Sequence, residues 1–383
     1  MKVLLLANNS GGLFKFRREL LEALIAHNHE VYVSVPTGDY FVEIRQIGCN
    51  IVETEISRHG TNPLTDLALT KKYCSIIKSV KPDIVFTYTI KPNVYGGIAC
   101  QLCKVPYVAN VTGLGTAVEN GGILQKITLA LYRTGLRKAK RVFFQNQANQ
   151  DFMLRHKVVR GAYSLLPGSG VNLERFVPLP YPDETDGIHF VFISRIMREK
   201  GIEQYLDAAR HFKVAELAEA PDLRHSERSE ESSAVPRTTF HICGFCEPEY
   251  KGKLDEYIKD GSVIYHGLVR DVREIHKISH CTIHPSFYPE GISNVLLESC
   301  ASARPIITTD RSGCREVVED DVNGYVVKQR DSEDLIQKIE KFRALTHEQK
   351  IHMGLAGRAK VEKVFDRKIV VDAYMKELLT LMD

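Results

Sequence analysis

Short, almost wholly apolar runs alternate with amphipathic helical stretches along most of the chain, in two series separated by a proline-rich passage. Residues 2 to 7 form the first run, followed by Asn8-Asn9-Ser10-Gly11-Gly12 and a helical stretch with Phe14, Leu20, Leu21 and Leu24 on its apolar side. Runs at 30–36, 51–55, 84–88, 107–111 and 141–145 continue this series. Runs at 188–194, 239–243, 263–266, 281–285, 305–309 and 324–327 form the second. A strand that is apolar on both faces needs cover on both, and a helix after each strand supplies it. Repetition of that unit predicts an α/β protein with parallel, doubly wound, Rossmann-like sheets.

The 383 residues are too many for one ordinary domain. The passage Pro167 to Pro182 reads as the linker, which sets an N-terminal domain at 1–178 and a C-terminal domain at 179–365. A helix at 366–383 is expected to pack back on the N-terminal domain. Two such sheets predict a cleft walled by one domain on each side. Gly11-Gly12, Thr89-Ile90-Lys91-Pro92-Asn93 and Asn110 to Gly115 fall at strand carboxyl ends, where these sheets bind ligands, and the glycines let backbone approach closely. The polar, low-complexity stretch Ala220 to Pro236 predicts a disordered surface insertion at about 218–237. It resembles translated interspersed repeats of some bacterial reading frames, without catalytic purpose.

The opening apolar run stops at Asn8, too soon for a signal-peptide core, and no later run approaches ~18 apolar residues, so a cytoplasmic location is expected. Residues 1 to 170 carry 21 Lys and Arg against 11 Asp and Glu, whereas the remainder carries 30 against 37. Much of the basic excess lies in Gly122 to Arg141, which can form a helix with apolar and basic faces. Such a segment can lie on an anionic membrane, here the inner face of the cytoplasmic membrane; a core-packing helix with a solvated basic face is the competing reading. Nucleic acid is not an expected partner, because no basic and aromatic recognition module accompanies the patch. Among the nine cysteines, Cys100-x2-Cys103 and Cys243-x2-Cys246 are too far apart in sequence to suggest a shared zinc site, so reduced, mostly buried thiols are expected.

The chemistry concentrates in His284-Pro-Ser-Phe-Tyr-Pro-Glu290-Gly-Ile-Ser-Asn-Val-Leu-Leu-Glu298. Glu290 reads as a loop residue among Pro285, Pro289 and Gly291, and Ser293 reads as the N-cap of a helix from about Asn294 to Ala303. That helix start would offer free N–H groups and a positive dipole end to a phosphate, with Glu298 roughly 6 Å further along to accept hydrogen bonds from a ribose. Arg195 and Lys200 directly follow the first strand of the second series and suit a diphosphate. Gly244 permits close approach to a ligand, and His266-Gly267-Leu268-Val269 can present backbone to a base.

With these motifs in order, the chain resembles glycosyltransferase family 4, retaining enzymes of the GT-B fold, over nearly its whole length outside the insertion. The resemblance rests on Gly11-Gly12, Gly168-Ser-Gly-Val-Asn172, Arg195 with Lys200, Gly244, and Glu290 with seven residues to Glu298. It implies that Arg195 and Lys200 bind the donor diphosphate, and that Glu298 holds the ribose. It further implies that Glu290 meets the donor sugar and steadies positive charge at its anomeric carbon, while amides of Ile292, Ser293, Asn294 and Val295 meet phosphate and sugar. Ser57-Arg58-His59-Gly60-Thr61-Asn62-Pro63 looks like bacterial enzymes that extend lipid-diphosphate-linked saccharides. Where many members carry a histidine near the acceptor, this chain has Val111-Thr112-Gly113, which leaves Arg58, His59, Lys91 and Thr112 as acceptor-side candidates.

The expected activity is transfer of a hexose or N-acetylhexosamine, with retention, from a nucleotide sugar such as a UDP-sugar to a saccharide acceptor linked to a lipid such as undecaprenyl diphosphate. No Asp-x-Asp pair occurs in the sequence, so basic side chains and a helix end are expected to replace a divalent metal, and no cofactor is expected. The competing readings are a glycosidase using Glu290 and Glu298, a nucleotide-sugar epimerase, and a non-enzymatic membrane-associated binding protein.

Overall fold

The computed structural model describes residues 1–56, 63–119, 121–219 and 237–381. The chain forms two compact units. The first comprises Met1–Gly170, Pro289–Ile292 and Phe365–Asp383; the second comprises Val171–Tyr288 and Ser293–Val364.

In the first unit the strands are β1 (Lys2–Leu6), β2 (Glu30–Val35), β3 (Asn50–Glu53), β4 (Ile84–Tyr88), β5 (Tyr107–Val111), β6 (Arg141–Phe144) and β7 (Tyr163–Leu165). Between them run α1 (Ser10–Ala26), α2 (Phe41–Ile47), α3 (Pro63–Val80), a π-helical turn (Pro92–Gly96), α4 (Gly97–Cys103), α5 (Thr116–Glu119), α6 (Gly122–Leu136) and α7 (Gln147–Arg155). In the second unit β8 (Ile188–Ile193), β9 (Thr238–Cys243), β10 (Ile264–Tyr265), β11 (Cys281–His284), β12 (Ile306–Thr309) and β13 (Gly324–Val327) form the sheet. Its helices are α8 (Ile202–Glu219), α9 (Lys251–Lys259), α10 (Arg273–Ile278), α11 (Asn294–Ala301), α12 (Ser332–Arg343) and α13 (His347–Val364); α14 (Arg367–Leu379) returns to the first unit.

Both sheets are parallel throughout, in the orders β3-β2-β1-β4-β5-β6-β7 and β10-β9-β8-β11-β12-β13. The order reverses between β1 and β4 in one sheet and between β8 and β11 in the other. Those are the points where crossovers leave in opposite directions and open a crevice at the strand carboxyl ends. The two faces of β1 show why the sheet is doubly wound. Val3 and Leu5 pack into one core cluster and Leu4 and Leu6 into another, all fully buried. At roughly 1.5–3 kcal/mol for each large apolar side chain buried, neither face could be left in water. On the first face α14 supplies cover: Tyr374 stands edge-on to Phe86 and Phe143, with ring centroids 4.9 and 5.0 Å away.

The proline-rich passage is not a free linker. The first unit ends at Gly170, not at 178, because the next dozen residues are fastened to the second unit. The fully buried Arg304 guanidinium donates to the carbonyls of Pro180 at 2.7 Å, Leu179 at 3.2 Å and His276 at 2.7 Å, and Arg358 Nη1 donates to Phe176 O at 2.6 Å. Of the expected insertion, α8 takes the first residues to Glu219 and β9 begins at Thr238; 220–236 lie outside the described residues. Gly11 and Gly12 sit in the first turn of α1, not in a loop, because Asn9 caps that helix by accepting from Gly12 N. All nine cysteines are free, and no cluster able to hold a metal occurs among the described residues.

Candidate functional site

In the second unit the reversal between β8 and β11 places two loops side by side. After β8 the chain turns through a short 3-10 helix (Arg198–Lys200), and the segment after β11 is tied to it by Phe287 N donating to Glu199 O at 2.9 Å. This tie brings both sequence-selected cations over one ring. Arg195 Cζ lies 5.8 Å and Lys200 Nζ 4.8 Å from the centroid of Tyr288, within the range where a cation is attracted by an aromatic face. Arg195 also pairs with Glu247 at 3.5 Å and is half exposed, so its head group stays within reach of solvent and ligand.

Gly244, just after β9, completes this edge. Its φ is +142°, and a Cβ there would lie 1.8 Å from Ser194 O, so no other residue fits against the strand that leads to Arg195. Its N–H donates to Gly267 O at 2.8 Å, which draws the His266–Val269 turn to the same edge. Val269 packs with Val295, Ile193 and Cys243 in one small cluster, so that turn and the start of α11 share an apolar floor. The backbone N–H and one ring nitrogen of His266 are both engaged, with Ile242 O and with His241 Nδ1, each at 2.9 Å. His266 therefore ends a row in which His189 Nδ1 meets His241 Nε2 at 2.9 Å, and His280 Nδ1 accepts from His189 N at 3.0 Å. Burial lowers the pKa of all four, that of His241 to about 3 and that of His280 to about 4.

Helix α11 starts at Asn294 as expected and ends at Ala301. Ser293 occupies the N-cap position but its side chain does not cap; its backbone N–H instead donates to Gly313 O at 2.7 Å. The first-turn amides, which have no acceptor inside a helix, thus stand beside the Arg311–Gly313 turn, with the half-buried Glu298 one turn on. Asn294 Oδ1 is buried with no partner among the described residues. Arg311 follows β12, and burial lowers its pKa with Arg315 and Arg330 adding to the effect.

Glu290 lies elsewhere than its neighbours in sequence suggest. The loop Pro289–Ile292 belongs to the first unit, whereas Arg195, Lys200, Gly244, Ser293, Asn294, Val295 and Glu298 belong to the second. Its seat is the carboxyl edge of β5 and β6. Asn146 Nδ2 donates to Glu290 O at 2.9 Å and Gly291 O at 2.6 Å, Asn149 Nδ2 adds a contact to Glu290 O at 3.3 Å, and Thr112 and Gly113 back the loop. Lys91 is also in the first unit, in an ion pair with Asp66 at 3.0 Å that Tyr95 OH joins at 2.6 Å. Arg58 and His59 lie outside the described residues. Tyr288, Arg311, Asn146 and Asn149 were missed by sequence reading. For Tyr288 a signal existed, since it follows the same strand as Glu290; the asparagines gave none, because polar residues after a strand are commonplace.

The family described as "Glycosyl transferases group 1" matches residues 181–359, and "Glycosyl transferase 4-like" matches residues 2–146. Among curated proteins, the chain is 23% identical over 393 positions to the N,N'-diacetylbacillosaminyl-diphospho-undecaprenol alpha-1,3-N-acetylgalactosaminyltransferase of Campylobacter jejuni, covering 98% of each chain. It is 21% identical over 281 positions to the UDP-Gal:alpha-D-GlcNAc-diphosphoundecaprenol alpha-1,3-galactosyltransferase of Escherichia coli, covering 69% of this chain and 67% of that one. The Anabaena protein HepE, solved in complex with UDP-glucose, superposes with a TM-score of 0.76 over 99% of both chains at 18% identity, a likeness of fold.

Proposed function

Since this chain belongs to the GT-B glycosyltransferases of the group 1 and 4-like families, we propose that it moves a hexose or N-acetylhexosamine, with retention, from a UDP-sugar to a saccharide carried on a lipid diphosphate in cell-surface polysaccharide assembly. The observation that carries the reading is the convergence of Arg195 and Lys200 on Tyr288 at the point where the second sheet reverses order. The undecaprenol-linked substrates in the names of two relatives support the acceptor class, and a neighbour solved with UDP-glucose supports the donor.

On this reading the second unit grips the donor. Arg195 and Lys200 take the diphosphate, the α11 amides meet its other face, and Glu298 accepts from ribose hydroxyls. Charge that develops on the departing diphosphate meets cations already in place, which lowers the barrier without reorganisation at the moment of transfer. Glu290 steadies the positive charge at the anomeric carbon. These groups replace a divalent metal, so turnover should survive a chelator.

The acceptor side falls to the first unit, with Lys91 and Thr112 as candidates, and the protein would work at the inner face of the cytoplasmic membrane. Helix α6 supports that location. Ile123, Leu124 and Ile127 are 78%, 45% and 49% exposed, beside exposed Lys126, Arg133 and Arg137, and no carboxylate interrupts residues 122–141. No described helix is long and apolar enough to cross a membrane.

The testing experiment supplies UDP-sugars with and without a polyprenyl-diphosphate saccharide and follows the lipid product. Acceptor-dependent transfer supports the reading. Conversion of the donor sugar without acceptor would replace it with epimerisation, and absence of any nucleotide affinity would sink it.

A further inference from the structure

The way the Glu290 loop is held makes a positioning residue out of Asn146. This side chain is 2% exposed and uses its two ends for different tasks. Its Oδ1 accepts from Asn149 N at 2.8 Å and caps α7, which fixes the orientation of the amide. Its Nδ2 then has both hydrogens to give, and they go to the consecutive carbonyls of Glu290 at 2.9 Å and Gly291 at 2.6 Å. The opposite side of the loop is closed by packing. A Cβ on Gly291 would lie 2.2 Å from Gln145 Oε1 and 2.5 Å from Thr112 O, and one on Gly113 would lie 3.2 Å from Pro289 O. The peptide that carries Glu290 is thus pinned on one flank by the two donated hydrogens of Asn146, with a longer contact from Asn149, and on the other by close packing against Gln145 and the Thr112 backbone.

We propose that Asn146 is the residue that orients Glu290 for transfer, by fixing the backbone from which the carboxylate projects. The inference rests on the reading that Glu290 meets the donor sugar. A carboxylate on a free loop would have to be ordered during each turnover, and a displacement of about 1 Å at such a group can cost on the order of 10²-fold in rate. A loop held at two consecutive carbonyls is ordered beforehand.

The two tasks of Asn146 can be separated by substitution. Asn146→Asp and Asn146→Ser both keep an oxygen that caps α7, yet neither can donate to two carbonyls; Asn146→Ala loses both functions. Turnover, donor KM and melting temperature are measured for the three variants, for Glu290→Gln, and for Asn146→Ser combined with Glu290→Gln. The inference expects Asp and Ser to lower kcat by about 30-fold or more, with donor KM within about threefold; Ser should lower melting less than Asp, whose buried carboxylate would face two carbonyl oxygens. It also expects the Ser substitution to add less than about threefold once Glu290 is already Gln, because residues acting through one another are not additive. If Asp and Ser turn over normally and only Ala is impaired, Asn146 is a helix cap and nothing more. Full additivity in the double variant would overturn the inference as well. If Glu290→Gln itself is as fast as the unmodified enzyme, the donor-sugar reading falls instead, so the two failures are distinct.

Discussion

The cations at 195 and 200 and the glycine at 244 have separable roles. Arg195→Ala and Lys200→Ala each remove a preorganised charge from the proposed diphosphate, and each should lower transfer by about 10²-fold, the scale seen when one such contact is lost. Steady-state kinetics with saturating acceptor checks this. Gly244→Ala acts through the backbone: with φ at +142° and a Cβ 1.8 Å from Ser194 O, the strand end must shift. Left-handed strain and overpacking together should cost about 2–5 kcal/mol of stability, read by denaturant melts. Arg195, Lys200 and Glu298 were legible as candidates because charged residues just after apolar strands, or inside an apolar helical run, stand out. Tyr288 carries a weaker signal, its place after the same strand as Glu290, because an aromatic residue in a proline-rich loop reads equally well as packing.

Among the elements, the strands were legible wherever both faces are buried, as in β1, β4 and β5. The three-residue β7 was missed because Tyr163 and Leu165 are exposed and leave no apolar run. Sequence order places the Glu290 loop in the second unit, because it is flanked there; its seat among Gln145, Asn146 and Asn149 depends on contacts more than a hundred residues away along the chain. The histidine row likewise arises only when β8, β9 and the segments after β10 and α10 come together. His241 and His280 have folded pKa values lowered by burial, to about 3 and about 4, against 6.5 for the ordinary group. The unfolded chain therefore takes up protons first. Their contribution is complete above pH 6.5 and is lost as pH falls from there toward 4, at about 1.4 kcal/mol per pH unit for each histidine. Melting at pH 7.5 and 5.5 should show a clear drop, and His241→Phe should make it smaller without abolishing it, since His280 remains. For α6, flotation with anionic and zwitterionic vesicles tests the proposed surface. Ile123→Glu with Ile127→Glu should abolish binding to the anionic vesicles, because each puts a charge into the apolar ridge.

For the molecule as a whole, the proposed donor site falls to the second unit and the Glu290 carboxylate to a loop counted with the first, both at strand carboxyl ends. Two parallel sheets were readable from the alternation of runs and helices; the return of α14 to the first core was only an expectation, and its anchor is the buried ring of Tyr374. A bound donor should stabilise the folded protein, by about 2.7 kcal/mol at 100 times its dissociation constant. The central claim is that the diphosphate is gripped by Arg195 and Lys200, and calorimetric titration of UDP against uridine tests it most directly. UDP should bind at least about 100-fold more tightly than uridine, and the Arg195→Ala, Lys200→Ala double variant should lose most of that advantage, as removal of two charge contacts requires. Equal affinity for UDP and uridine, or an undiminished preference for UDP in the double variant, would contradict it.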